Sequence, residues 1–223
     1  MMEYIIEIQH VKKQIKEKKL LKDVVLQVEK GSIVGIIGRN GSGKTVLFKC
    51  ICGFMKVDSG KILVNHKEIG KGSRLAEKTG IIIENPGFLP NYSGYRNLAF
   101  LAGIEGKIGR KEIYQVMEAV GLEPQNKKTV KTYSMGMRQR LAIAQAIMEG
   151  QELLILDEPM NGLDNQGVQD IRRLLLHLRE QGKTILLASH MKEDIDVLCD
   201  KVYRMDDGIL SGPEISDHRM IHK

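Results

Sequence analysis

The sequence predicts an α/β fold around a mostly parallel sheet, and three observations predict it. Residues Ile33-Val34-Gly35-Ile36-Ile37 make a continuous apolar run, as expected of a strand buried on both faces. That run enters a Gly-rich turn, and good helix formers follow from Lys44. Strand and helix signals then alternate through the last third of the chain, at 153–156, 168–179, 184–188 and 192–198. Such alternation around one Gly-rich turn argues strands joined by helical crossovers.

Each element has its own signal. Residues 4–8 and 24–28 alternate apolar and polar, the pattern of half-buried strands, and they predict an antiparallel β subdomain. The Lys-rich run 12–22 between them reads as a solvated loop. A helix is expected over 44–53, with short strands at 60–65 and 80–83. From about 84 to 135 the character changes: Leu98, Leu101, Ile113, Val116, Met117 and Val120 recur at helical spacing, broken by Pro86, Pro90 and several glycines. This predicts a small helical subdomain inside a single domain, 1–223. Leu141, Ile143, Ala144 and Ile147 mark a further helix, and strand-like pieces around Val202 and Ile209 close the chain.

Bulk composition narrows the function. With 223 residues, 42% hydrophobic and 28% charged, the chain is long enough for a full core. A net charge of +6 suits polyanionic ligands or an anionic membrane face. The absence of Trp and an aromatic content of 4% disfavour a base-stacking platform, so no nucleic acid is expected. Three cysteines make no disulfide framework, and Cys50 and Cys52 in an apolar segment read as small hydrophobes. The N-terminus lacks a basic-then-apolar layout, and no apolar run approaches the ~20 residues that span a bilayer. The expected compartment is the cytoplasm.

The chemistry concentrates in four motifs. Gly38-Arg39-Asn40-Gly41-Ser42-Gly43-Lys44-Thr45, with Val46 opening the helix, matches the P-loop pattern between a strand and a helix. Its glycines let backbone N–H groups curl around phosphates, Lys44 neutralises β/γ oxygens, and Thr45 offers a hydroxyl to Mg²⁺. This predicts a P-loop NTPase core. LLILDEP (153–159) ends a buried strand in Asp157, suited to Mg²⁺, and Glu158, suited to act as general base. ILLASH (185–190) ends another in His190, at a strand terminus that faces the ligand crevice in such folds. Finally, YSMGM (133–137) opens a helix with Ser134 and Gly136, a start that reads either as a plain N-cap or as an anion site.

These motifs, in this order and over nearly the whole chain, resemble the nucleotide-binding subunits of ATP-binding-cassette (ABC) transporters. The resemblance implies an ATPase with ATP and Mg²⁺ as cofactors. It makes YSMGM the signature motif, usually LSGGQ, with Met135 and Met137 departing from the pattern. It makes Asn161-Gly162-Leu163-Asp164 the D-loop and His190 the switch histidine. Ser134 and Gly136 would then meet the γ-phosphate of an ATP held by a second cassette, in a homo- or heterodimer. Two further departures place Ile15 where an aromatic ring usually stacks on adenine, and Glu84 where the Q-loop glutamine usually contacts Mg²⁺ or water. The stretch after Glu84, ENPGFLPNYSGYRNL (84–98), is similar to exporters of the bacitracin-resistance and lantibiotic self-protection type. The implied partner is a separate transmembrane permease, with the cassette peripheral at the inner face of the membrane. The alternatives are a soluble ABC ATPase acting on nucleic acid or ribosomes, and an importer ATPase.

Overall fold

The computed structural model describes residues 3–70, 79–84 and 87–215. Pro86, one of the expected helix breakers, lies outside them. Two sheets carry the fold. A four-stranded antiparallel sheet has the order β2-β1-β4-β5, from β1 (Tyr4–Ile15), β2 (Lys18–Glu29), β4 (Ser59–Val64) and β5 (Lys67–Glu68). A six-stranded sheet has the order β10-β9-β3-β8-β7-β6, from β3 (Ile33–Ile37), β6 (Thr79–Ile82), β7 (Leu153–Asp157), β8 (Thr184–Ser189), β9 (Lys201–Asp206) and β10 (Ile209–Ile215). All of its pairings are parallel except β9 with β10.

One expectation is overturned. The Lys-rich run 12–22 is not a loop but the tip of a long hairpin, in which β1 and β2 pair from Tyr4↔Glu29 to Ile15↔Lys18. Lys16, at φ 54°, makes the turn. Val11 and Leu21 are buried on one face while most of the lysines stay in solvent. Lysine stems lie along a strand surface with their charged heads in water, so the charge run hides an ordinary alternating pattern.

The apolar strands divide their side chains between two cores. Ile33, Leu154, Leu156, Ile185 and Leu187 face α4 (Met135–Ile147), α5 (Asn165–Glu180) and α6 (Lys192–Leu198). Val34, Ile36, Leu153, Ile155 and Leu186 face α1 (Lys44–Ile51) and the antiparallel sheet. Burying one such side chain contributes about 1.5–3 kcal/mol before conformational entropy is counted, so double coverage explains why these strands read as unbroken apolar runs. Two more helices, α2 (Gly94–Glu105) and α3 (Arg110–Ala119), lie between β6 and α4 in sequence and pack on the first core through Leu98, Ile113 and Met117.

Parallel order has one consequence for the site. The carboxyl ends of β3, β8, β7 and β6 are adjacent, so the segments that follow them converge along one edge. This is where open α/β sheets bind ligands.

Candidate functional site

The segment after β3 is the loop Gly38–Gly43, and Lys44 begins α1. Two of its glycines are sterically required. A Cβ on Gly38 would fall 2.3 Å from the Met205 carbonyl oxygen, and Gly43 sits at φ 118° with the Leu20 carbonyl 3.0 Å from where its Cβ would be. Leu20 belongs to β2, so the hairpin leans on the P-loop. Ile15 lies at that hairpin's tip and is 46% exposed. Lys44 Nζ donates to the carbonyls of Gly38 (2.6 Å) and Arg39 (3.3 Å). Arg39 itself points outward to Asp206 at 3.2 Å. Gly41, at φ 78°, and Asn40 are exposed, Ser42 is buried, and the Val46 side chain packs on the core beneath.

Thr45 Oγ1 donates to Asp157 Oδ2 at 2.6 Å, tying the start of α1 to the end of β7. Burial raises the Asp157 carboxyl above its ordinary value, Glu158 and Glu84 add to the rise, and the Thr45 hydrogen bond and Lys44 oppose it. Such a carboxylate is short of positive charge. Among the described residues no group of three or more His, Cys, Asp or Glu side chains could hold a metal alone. A cation at Thr45 and Asp157 would therefore take its other ligands from phosphate and water, which is the habit of Mg²⁺.

Glu158 is the most constrained residue here. Its backbone sits at φ 52°, a left-handed conformation uncommon for a non-glycine residue, and its N–H donates to the Ala188 carbonyl at 3.0 Å. Oε2 lies 2.8 Å from His190 Nδ1 and accepts from the His190 backbone N–H at 3.3 Å. Oε1 is buried 3.9 Å from Lys44 Nζ and has no hydrogen-bond partner; Ser42 Oγ is likewise buried and unpaired. Unsatisfied buried polar atoms are costly, and a ligand or water bound beside Lys44 would supply the missing bonds.

Glu84 follows β6, at φ 59°, and accepts from Lys49 Nζ at 2.6 Å. Lys49, on α1, was not singled out from sequence. It offsets the charge that a glutamate brings to this position, and only the fold brings the two together.

Ser134 is the N-cap of α4, its Oγ accepting from Met137 N at 3.1 Å, and Asp164 is the N-cap of α5, accepting from Gly167 N at 2.8 Å. Gly136 lies so close to the D-loop that a Cβ would sit 2.9 Å from the Gly162 carbonyl, and Met135 covers Gly162. Gln139 of α4 donates to the Pro159 carbonyl at 2.9 Å, bracing the backbone beside Glu158. Among the described residues no hydrogen bond joins Ser134 or Gly136 to residues 38–45 of the same chain.

A family model described as "ABC transporter" matches residues 21–161, more than half of the chain. The chain belongs to the ABC transporter family. It is an ABC ATPase subunit. It is 41% identical to the bacitracin transport ATP-binding protein BcrA of Enterococcus faecalis over 213 residues, which cover 94% of this chain and 68% of that one. It is 35% identical to the lantibiotic transport ATP-binding protein SrtF of Streptococcus pyogenes over 196 residues, covering 88% and 84%. The fold superposes on the dimeric, ADP- and Pi-bound ATP-binding cassette MJ0796 with a TM-score of 0.86 at 22% identity, covering 94% of this chain and 98% of that one. It also matches cbiO1 of Clostridium perfringens, part of the ABC transporter complex cbiONQ, with a TM-score of 0.82 at 29% identity, covering 98% and 91%.

Proposed function

We propose that this ABC ATPase powers an exporter of antimicrobial peptides or drug-like compounds, hydrolysing Mg-ATP between two cassettes. The observation that carries the reading of the site is Glu158, with one oxygen against His190 and the other unpaired beside Lys44. The loop Gly38–Thr45 presents its backbone N–H groups, and Lys44 its ammonium, to the β- and γ-phosphates. Thr45 and Asp157 would hold Mg²⁺, with the Glu84 carboxylate near enough to act on Asp157; bound there, the ion would supply charge neutralisation of the phosphates. Glu158 accepts a proton from the attacking water, and His190 fixes the orientation of that carboxylate. Ile15 offers an aliphatic contact to adenine.

Ser134 and Gly136 serve the nucleotide of a second cassette, homologous or identical. The helix start with its free N–H groups supports this, as does the lack of any bond from it to its own P-loop. Asp164, two residues after Gly162, belongs to the same junction.

Among the described residues no helix is long and apolar enough to cross a membrane. In this reading, membership of the ABC transporter family supports a separate permease that supplies the pore. It docks in a cleft of about 560 Å³ between β6 and α2, where Phe54, Leu89, Phe100 and Ile104 expose large apolar surfaces beside residue 84. The net charge of +6 suits a position at the inner, anionic face of the membrane. Export of peptide antibiotics rests on the relatives named for bacitracin and lantibiotic transport.

The test is light scattering of Glu158→Gln with and without Mg-ATP. An ATP-dependent change from monomer to dimer supports the shared site. A mass that stays monomeric at saturating ATP, in the presence of the permease as well, overturns it.

A further inference from the structure

We propose that Ser189 and Asp194 are positioning residues that hold His190 against Glu158, through a buried ionic clamp anchored on Arg172. The inference rests on the reading of Glu158 as the base and His190 as the residue that orients it, together the reacting pair. Arg172, on α5, is 3% exposed and Asp194, in the first turn of α6, is 1% exposed. Arg172 Nε and Nη2 donate to Asp194 Oδ1 at 2.9 and 2.6 Å. The other oxygen, Oδ2, accepts from Ser189 Oγ at 3.1 Å, and Ser189 Oγ in turn accepts from Met191 N at 3.1 Å. The residues on either side of His190 are therefore tied to one carboxylate. His190 itself is half exposed, and its bonds at Nδ1 and N both go to Glu158.

The chain of bonds has a fixed direction. An ionised Asp194 only accepts, so the Ser189 hydroxyl must donate to it, which leaves a Ser189 lone pair for Met191 N. Asp194→Asn breaks this in either orientation: its NH2 group meets the Arg172 donors on one side, or on the other donates to the serine oxygen and leaves the Ser189 O–H without its acceptor. A buried ion pair of this kind is weak evidence for stability, because an apolar replacement of equal volume often serves as well. What the pair provides here is orientation. The Arg172 fork reaches from α5, whose N-cap is Asp164 of the D-loop, to two carboxylates in the first turn of α6, Asp194 and Glu193 (3.4 Å to Oε2), and that helix starts two residues after His190. A displacement of a reacting group by about 1 Å can cost up to about 10²-fold in rate.

The experiment compares Ser189→Ala, Ser189→Thr, Asp194→Asn and His190→Ala, together with the double variant Ser189→Ala/His190→Ala. Each is followed by kcat, KM for ATP and thermal unfolding, and by the His190 imidazole NMR resonance of the free protein, assigned through His190→Ala. Ser189→Ala leaves the Arg172–Asp194 pair in place, so it tests the link even where Asp194→Asn fails to fold. The expected result is a kcat at least ~10-fold lower with KM little changed. The His190 resonance moves, Ser189→Thr restores both, and the double variant is no slower than His190→Ala alone. If Ser189→Ala leaves kcat and the His190 resonance unmoved while His190→Ala abolishes turnover, the clamp is wrong and the reacting pair stands. If His190→Ala retains turnover, the reacting pair is wrong. The resonance then decides the clamp alone: movement supports it and constancy overturns it.

Discussion

At the scale of single residues, Asp157 and Glu158 are neighbours in sequence with different burdens. Asp157 is buried at the end of β7 with its pKa raised, first by burial. Raised folded-state proton affinity means that folding is favoured by this group below its ordinary 3.8, and that the benefit is lost as pH rises through the raised value. At neutral pH the buried charge is a standing cost. Asp157→Asn should therefore unfold at a higher temperature than the parent at pH 7, with the gap closing on acidification, while Mg-ATP hydrolysis is lost. A lower melting temperature for Asp157→Asn in calorimetry would contradict the burial argument. Glu158→Gln should bind ATP and hydrolyse it at least ~10²-fold more slowly, since that is the usual worth of a general base; near-parental single-turnover rates would remove Glu158 from the role. Lys44, Thr45, Asp157, Glu158 and His190 could be picked out from sequence because each ends or follows an apolar strand with a distinctive pattern. Lys49 and Asp194 could not. Their partners, Glu84 and Arg172, stand 35 and 22 positions away, and nothing local marks them.

At the scale of elements, α4 is gripped at both ends. Its first turn touches Gly162 of the D-loop, and its last turn lies on β6, where a Cβ on Gly80 would be 1.9 Å from the Ala146 carbonyl oxygen. Gly80→Ala must push helix and strand apart and should cost about 1–3 kcal/mol, in the range of overpacked cores. A denaturation midpoint equal to the parent's would show that β6 yields freely. The sequence marked α4 through helical periodicity and β6 as a short strand at 80–83, and it marked the Ser134 cap through residue type. It mistook the hairpin tip over 12–22 for a loop, because long cationic side chains conceal a strand pattern that is visible only in burial.

At the scale of the whole molecule, each chain holds half of what the proposed reaction needs: a P-loop with its carboxylates, and a signature helix that serves elsewhere. Ser134→Arg should leave monomeric ATP affinity intact while preventing ATP-dependent dimers in sedimentation or light scattering. Loss of monomer binding would place Ser134 in its own site. The exposed apolar cleft beside β6 makes a parallel prediction. Ile104→Asp should weaken co-purification with the permease, and undiminished capture would move the docking surface elsewhere. The proposed second surface rests on family resemblance alone, since composition carries no signal for a site completed between two cassettes.

The thiols have a practical consequence. Cys50, Cys52 and Cys199 are all buried; burial pushes Cys50 up to about 11 and Cys52 up to about 12, and Cys199 higher still. None offers a thiolate at working pH, and the thiolate is the species that alkylating dyes attack. A cysteine introduced at an exposed position on α2 or beside the signature helix would then be the one that takes a fluorophore, with the native three left in place. Closing and reopening of paired cassettes could be followed by distance-dependent dye transfer in otherwise unaltered protein. Dye incorporation into the parent chain, which should be negligible, is the control that licenses it.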